Sequence, residues 1–448
     1  MTSSGMPAGP TRRFSFGGAV VALTLVRIGS VGAGFITSVV GAQLIGAAGL
    51  GIVGAATTVA TIGALVSNGG LNIATVYYLG QRPDDAGRIV GWIATLGLLA
   101  AALAAGIALL AGGALGEGFL GSATPPILAA SALLAAGILG FELAGGILLG
   151  LQERGAYIAA QVLEAIGSLV LTVIVLVLIS TTAAGYLVAA AAGYWLGIGL
   201  AIWRARRRLP GTRLAFSRTF TGQALAMGLR GQVGNILQFL NLRLDLLLVP
   251  ALLNLASAGV YLIAIRVSEV VTQVASSAAT FLFAHVAAQA DRRATWVTER
   301  TVRLSLLFVL VSGLPLALLA EPILAIFFGP DFVAGSTAVR ITLIAMLPLS
   351  VVRILAGDLK GRGRPGLVSI AALLALGVTV VGDLTLIPPF GIAGAALASL
   401  ASYTLSAALL IVAYRRVTGA PIGGFLPRTS DVVAAAAMVR SRRPAVHR

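Results

Sequence analysis

Residues 241–269 read NLRLDLLLVPALLNLASAGVYLIAIRVSE. Two apolar, helix-length segments meet near Asn254, and between them they carry Arg243, Asp245, Arg266 and Glu269. A charge at the centre of a bilayer costs roughly 2.5–3.5 kcal/mol on insertion scales, so it normally faces a bundle interior or an aqueous cavity. At about 1.5 Å per residue, Arg243 and Arg266 lie at similar depth, about 10–15 Å from the connecting loop. Arg266 and Glu269, three residues apart, can pair, whereas Arg243 and Asp245, two apart, fall on different flanks of a helix. The cluster has two readings. It is a salt-bridge network that locks the hairpin, or at least one arginine faces a cavity and meets an anionic cargo, for which the planar guanidinium fork suits phosphate.

The rest of the 448-residue chain has the same apolar character, with 58% hydrophobic and 10% charged residues and a mean hydropathy of +1.00. That excludes a soluble domain. Twelve apolar runs, at about 16–40, 50–78, 89–112, 125–150, 156–180, 183–203, 221–250, 256–288, 304–328, 334–358, 366–388 and 391–414, can each cross a hydrocarbon core of about 30 Å. The first is about twice as long as the core of a cleavable signal peptide and reads as a span. With no Cys and only His285 and His447, neither a disulfide nor a metal centre is expected.

A net charge of +16 would suit nucleic acid, but its distribution points elsewhere. Arg82, Arg88, Arg154, the Arg204–Arg218 stretch, Arg292, Arg293, Lys360, Arg364 and the C-terminal arginines fall in alternate loops and at the termini. The intervening loops contain no Lys or Arg. The positive-inside rule then puts both termini in the cytoplasm. No nucleic-acid partner is expected.

The expected fold is an all-α polytopic membrane protein of about twelve spans in two six-helix lobes. Its expected parts are a cytoplasmic N-terminus (1–15), an N-lobe (16–203), a basic linker (204–220), a C-lobe (221–416) and a basic cytoplasmic tail (417–448). Gly51 and the apolar run after it align on Gly259 with an offset of 208, and residues 146–155 align on 356–365 with an offset of 210. Six spans per half is an even number, so the repeat is parallel and its pseudo-two-fold axis runs along the membrane normal, with a cavity between the halves.

Other in-span charges extend the candidate site. Arg27 is alone in the first span and is expected to face the cavity; Arg353 lies deep in the tenth, five residues before Asp358. Glu142, Glu164 and Asp383 are isolated acids that can partner a buried arginine, carry a coupling ion or line water. Gly49–Gly54 matches GxGxxG, yet it follows no strand and lacks the acidic residue about 20 positions on, so it reads as close helix packing.

Asn241–Leu248, Ala258–Arg266, Phe328–Phe332, Leu386–Ala396 and Gly46–Gly51 together resemble polysaccharide (O-antigen-type) flippases of the multidrug/oligosaccharidyl-lipid/polysaccharide exporter superfamily. The resemblance covers roughly residues 15–415. It implies translocation of an undecaprenyl-pyrophosphate-linked oligosaccharide to the outer leaflet of a bacterial cytoplasmic membrane by alternating access. It also implies that arginines of the first and eighth spans, here Arg27 and Arg266, hold the pyrophosphate, with Arg243 and Arg353 as further substrate-binding candidates. Asp245, Glu269, Glu142, Glu164 and Asp383 are then charge partners or ion-coupling groups. No cofactor is expected beyond coupling to a proton or sodium gradient or to membrane potential. The expected partners are the lipid-linked oligosaccharide, membrane lipids and a polysaccharide polymerase. The extra C-terminal helix pair of the lipid II branch is not expected here, which argues against that branch. A drug/cation antiporter of the same superfamily and a non-transporting component of a polysaccharide assembly complex remain the alternatives. An enzyme is disfavoured, because the loops opposite the basic side are short and almost uncharged.

Overall fold

The structure, a computed structural model, describes residues 16–114, 124–288 and 292–425. The two terminal segments expected to be cytoplasmic lie wholly (1–15) or largely (417–448) outside the described residues. Every regular element among the described residues is helical. Helix α1 (Phe16–Asn68) has 53 residues, about 80 Å if straight and far more than one crossing needs. It breaks at Gly46, whose φ of 68° and ψ of −176° belong to a region that only glycine occupies at little cost. One helix thus supplies two antiparallel spans, and the second continues past Gly69–Gly70 as α2 (Leu71–Gln81).

The N-lobe is completed by α3 (Ala86–Ala114), α4 (Pro125–Gly150), α5 (Arg154–Ile174) and α6 (Ala183–Arg208). In the C-lobe, α7 (Arg218–Arg243) and α8 (Asp245–Leu252) form one span bent by 40° at Leu244. The return span is α9 (Leu255–Glu269) and α10 (Gln273–Ala288), separated by a short 3₁₀ turn. Then follow α11 (Arg292–Leu318), α12 (Ser336–Gly361), α13 (Pro365–Phe390) and α14 (Ile392–Thr418). Counting α1 twice and each broken pair once gives the twelve crossings and two lobes expected from the apolar runs. Residues such as Leu98, Leu110, Leu178, Leu318 and Val381 are exposed on the outside of this bundle, where a lipid-facing surface needs apolar side chains.

Each lobe lends side chains to the other's core. Phe220 and Ala224 of α7 pack in the N-lobe core, while Ala42 and Leu50 of α1 pack in the C-lobe core. Besides a backbone contact of Gly70 with Gly228 of α7, the two lobes cross closely at the end that carries no basic loops. There a Cβ on Gly51 would lie 1.9 Å from the carbonyl oxygen of Leu255, and a Cβ on Gly259 would lie 1.8 Å from that of Ala47. Gly51 and Gly259 are 208 positions apart, and so are Ala47 and Leu255. The crossing is therefore isologous, with each lobe giving the other the same atoms, as a two-fold axis requires. It closes the floor of an open basin of about 1180 Å³ lined by Ala48, Asn254, Ala256, Asp331 and Gly391.

The fourth and tenth spans obey the same symmetry with a sharper register than their sequences suggest. Gly146 abuts the carbonyl oxygen of Asn72 and Gly150 the side chain of Leu79, whereas Gly357 abuts the carbonyl oxygen of Ala279 and Gly361 that of Phe283. Both glycine pairs are 211 positions apart, one more than the sequence match, because runs of Ala, Leu and Gly carry little register information.

With no native cysteine, spin labels placed at Ala48 and Ala256 report this closure directly. Gly51→Val removes the only space in which the crossing fits. It is expected to shift the label-to-label distance distribution to longer values in pulsed EPR. An unchanged distribution would show that the crossing does not hold the lobes together.

Candidate functional site

The bend in the seventh span at Leu244 separates Arg243 from Asp245, and the two meet different partners. Arg243 reaches across to α9, where its Nη2 donates to both carboxylate oxygens of Glu269 at 2.9 Å. Glu269 is thus held by the residue 26 positions earlier, and the Arg266–Glu269 pair suggested by their spacing is not the one that forms. The physical reason is the break after Glu269, which leaves that carboxylate beside the Leu244 bend while Arg266 points elsewhere. Asp245 is buried and accepts from the Tyr261 hydroxyl at 2.6 Å, from the Ser399 hydroxyl at 3.3 Å and from the Leu246 amide at 2.8 Å.

Arg266 is exposed although every other residue from Ala258 to Ser268 is buried. Its guanidinium lies beside Gly34 of α1, with Nη1 3.8 Å from where a Cβ there would stand. It is within electrostatic reach of Tyr186 and Tyr194 on α6 of the opposite lobe and of Glu269. An exposed arginine on an otherwise buried helix, facing the other lobe, lines the space between the lobes. Arg353 on α12 also lies within reach of Glu269 and donates to Ser276 of α10. Its expected neighbour Asp358 is instead bound by Arg362 at 2.5 Å and Thr298 at 2.6 Å. Glu269 therefore sits amid three arginines, and a net positive charge remains on the C-lobe wall. The Arg27 side chain lies outside the described residues; its backbone is in α1.

The N-lobe wall is different. Glu142 of α4 accepts from Asn68 Nδ2 at 2.6 Å, and Glu164 lies on α5 near Ser168. Tyr194 is within electrostatic reach of Glu142, Glu164 and Arg266, so these groups from both lobes surround one region.

Asp383 of α13 stands apart from that region. Both its carboxylate oxygens are buried and have no hydrogen-bond partner among the described residues, and the group lies within electrostatic reach of Asp245. Around them, Asn241 Oδ1 accepts from Thr379 at 2.7 Å and from Ser402 at 2.8 Å. A buried carboxylate without a donor is tolerable as its neutral acid or beside a cation. No group of three or more His, Cys, Asp or Glu side chains that could hold a metal ion occurs among the described residues.

Tyr194, Tyr261 and Ser276 were not singled out from the sequence. The tyrosines carried one usable signal, since a Tyr inside an apolar span needs a partner for its hydroxyl. Replacing Glu269 by Gln leaves Arg243 without its counter-charge and is expected to destabilise the protein by about 3 kcal/mol. The double variant Arg243→Gln/Glu269→Gln should recover most of that loss. Thermal unfolding of the detergent-solubilised protein measures both, and equal stability of the single variant and wild type would refute the coupling.

The fold has known counterparts. It superposes on an inward-facing multidrug resistance MATE family transporter of the MOP superfamily with a TM-score of 0.70 at 16% identity, covering 90% of this chain and 98% of that one. The lipid II flippase MurJ in an inward closed conformation gives 0.72 at 13% identity, covering 94% and 92%. A MOP superfamily transporter from Pyrococcus furiosus, described as having a binding pocket of reverse polarity, gives 0.56 at 13% identity, covering 90% and 96%. No curated protein matches the sequence. Residues 18–283, which include almost all of the N-lobe, the bend at Leu244 and Arg266, match the family described as polysaccharide biosynthesis protein, and the chain belongs to that family.

Proposed function

We propose that this chain is a flippase that moves an undecaprenyl-pyrophosphate-linked oligosaccharide from the inner to the outer leaflet of a bacterial cytoplasmic membrane by alternating access. The observation that carries the proposal is Arg266, exposed on a buried helix and facing the other lobe. Its family supplies the polysaccharide context, and the similar fold of MurJ supplies a lipid-linked precedent. Arg266, with Arg353 beside it and Arg27 from α1, neutralises the pyrophosphate, which otherwise cannot enter a region of low dielectric. Arg243 is engaged by Glu269 and holds the wall rather than the cargo. The basic loops at one end put that end in the cytoplasm, so the Gly51–Gly259 crossing closes the outer side and cargo enters from the inner leaflet. A polymerase that receives the translocated oligosaccharide fits as a partner. The MATE-like fold and the acids Glu142 and Glu164 favour one second reading, a cationic-drug antiporter, which dye efflux from proteoliposomes would reveal.

Asp383 and Asp245, buried together in the C-lobe, are the ion-coupling pair of the cycle. Binding a proton or sodium ion there relieves an unpaired buried charge and so biases one arrangement of the helices over another.

Two measurements in proteoliposomes test these roles. Arg266→Gln is expected to slow flipping of an undecaprenyl-pyrophosphate-linked oligosaccharide by roughly 10- to 100-fold, the value of a lost charge-assisted hydrogen bond or two. Arg266→Lys should restore only part of the rate. Wild-type flipping by Arg266→Gln would sink the assignment. For Asp383→Asn, an imposed proton or sodium gradient is expected to give no acceleration, although cargo still binds. Full gradient response in that variant would rule out the ion-coupling role.

A further inference from the structure

Asn68 and Ser276 occupy equivalent places in the two lobes, 208 positions apart, and each accepts or donates one hydrogen bond to a charged side chain on a neighbouring span. In the N-lobe that side chain is Glu142; in the C-lobe it is Arg353. These two are 211 positions apart, the spacing that also relates Gly146 to Gly357 and Gly150 to Gly361. The repeat thus places opposite charges at one structural position.

Around Glu142, between α2, α4 and α5, lies a pocket of about 630 Å³ toward the basic end of the bundle, a size usual for small-molecule sites. Tyr77, Phe141 and Tyr157 supply rings, and Asn72, Gln161 and Glu142 supply hydrogen-bonding groups. Tyr77 is exposed there. Gly145 leaves room for the Tyr157 ring, 3.1 Å from where a Cβ would stand, and Gln161 Nε2 donates to the Tyr157 hydroxyl at 2.9 Å. With Asn68 bonded to Oε2 of Glu142, Oε1 is left for a ligand. No Lys or Arg lines the pocket among the described residues.

Resting on the flippase reading, we infer that this pocket binds the first sugar residues of the cargo, and that these sugars are neutral or amino-bearing rather than acidic. Aromatic faces beside amide and carboxyl groups match the apolar faces and hydroxyls of a pyranose. A uronic acid placed here would bury its carboxylate with no cationic partner, which is costly. The pyrophosphate meets Arg266 and Arg353 on the C-lobe wall while the sugar rests on the N-lobe wall, so the cargo is loaded in one orientation.

The full chain in lipid nanodiscs is tested with three probes: farnesyl pyrophosphate, the same lipid carrying N-acetylglucosamine, and the same lipid carrying glucuronic acid. The N-acetylglucosamine probe is expected to bind about tenfold tighter than the sugar-free one, the value of one or two neutral hydrogen bonds. Tyr157→Phe and Gln161→Leu should remove that advantage and leave farnesyl pyrophosphate binding unchanged. The glucuronic acid probe should gain nothing over the sugar-free lipid, and Glu142→Arg should make it the preferred ligand. Equal binding of the two sugar probes by wild type, or an advantage that survives both Tyr157→Phe and Gln161→Leu, overturns the inference while leaving the flippase reading intact. If Arg266→Gln leaves farnesyl pyrophosphate binding unchanged, or none of the probes binds, the flippase reading falls and this inference with it.

Discussion

The arrangement of the lobes at the end without basic loops depends on one backbone contact, the crossing of α1 and α9 at Gly51 and Gly259. Two helices that approach until a glycine Cα faces a carbonyl oxygen can be neither replaced by side-chain packing nor shifted by one residue. Because the contact is isologous, its two halves have the same geometry. Each half is worth only about 0.5–1 kcal/mol as a Cα–H···O interaction. The contact is thus sterically narrow but energetically shallow.

The same crossing explains where the charges go. It fixes α9 against α1, so that Arg266 can emerge only toward the space beside Gly34. The bend at Leu244 turns Arg243 toward Glu269 and Asp245 toward Tyr261. Of the four charged residues in 241–269, Arg243 and Glu269 neutralise each other and Asp245 is solvated by hydroxyl and amide donors. Only Arg266 is presented across the lobe boundary. The ion pair therefore braces the hairpin, while Arg266 is left exposed beside Gly34 of the opposite lobe.

Much of the architecture was legible because its signals are long. An apolar run of about 20 residues has few alternatives to a span. The 208-residue offset was legible because glycines that make close contacts are distinctive. The offset of the fourth and tenth spans came out one residue short, since nothing in an Ala/Leu/Gly helix marks its rotation. Side-chain partners were the least legible. Arg243 and Glu269 are 26 residues apart and meet only because one span bends and the other breaks beside it. Arg353 turns to Ser276 on a different helix rather than to Asp358 on its own. Sequence spacing encodes neighbours along one helix face, whereas these contacts depend on how different helices cross.

A duplicated scaffold tends to build a symmetric cavity, yet a lipid-linked sugar is not symmetric: it is anionic at one end and hydroxylic at the other. Equivalent crossings keep the two lobes related by the same two-fold axis. The chain keeps that symmetry in its glycines, at Gly51 and Gly259, Gly146 and Gly357, Gly150 and Gly361. It breaks the symmetry only in side chains, most plainly at Glu142 and Arg353. Close backbone contacts and charge are thereby assigned to different atoms of the same helices, so the charge on one wall can differ from that on the other without disturbing the glycine contacts.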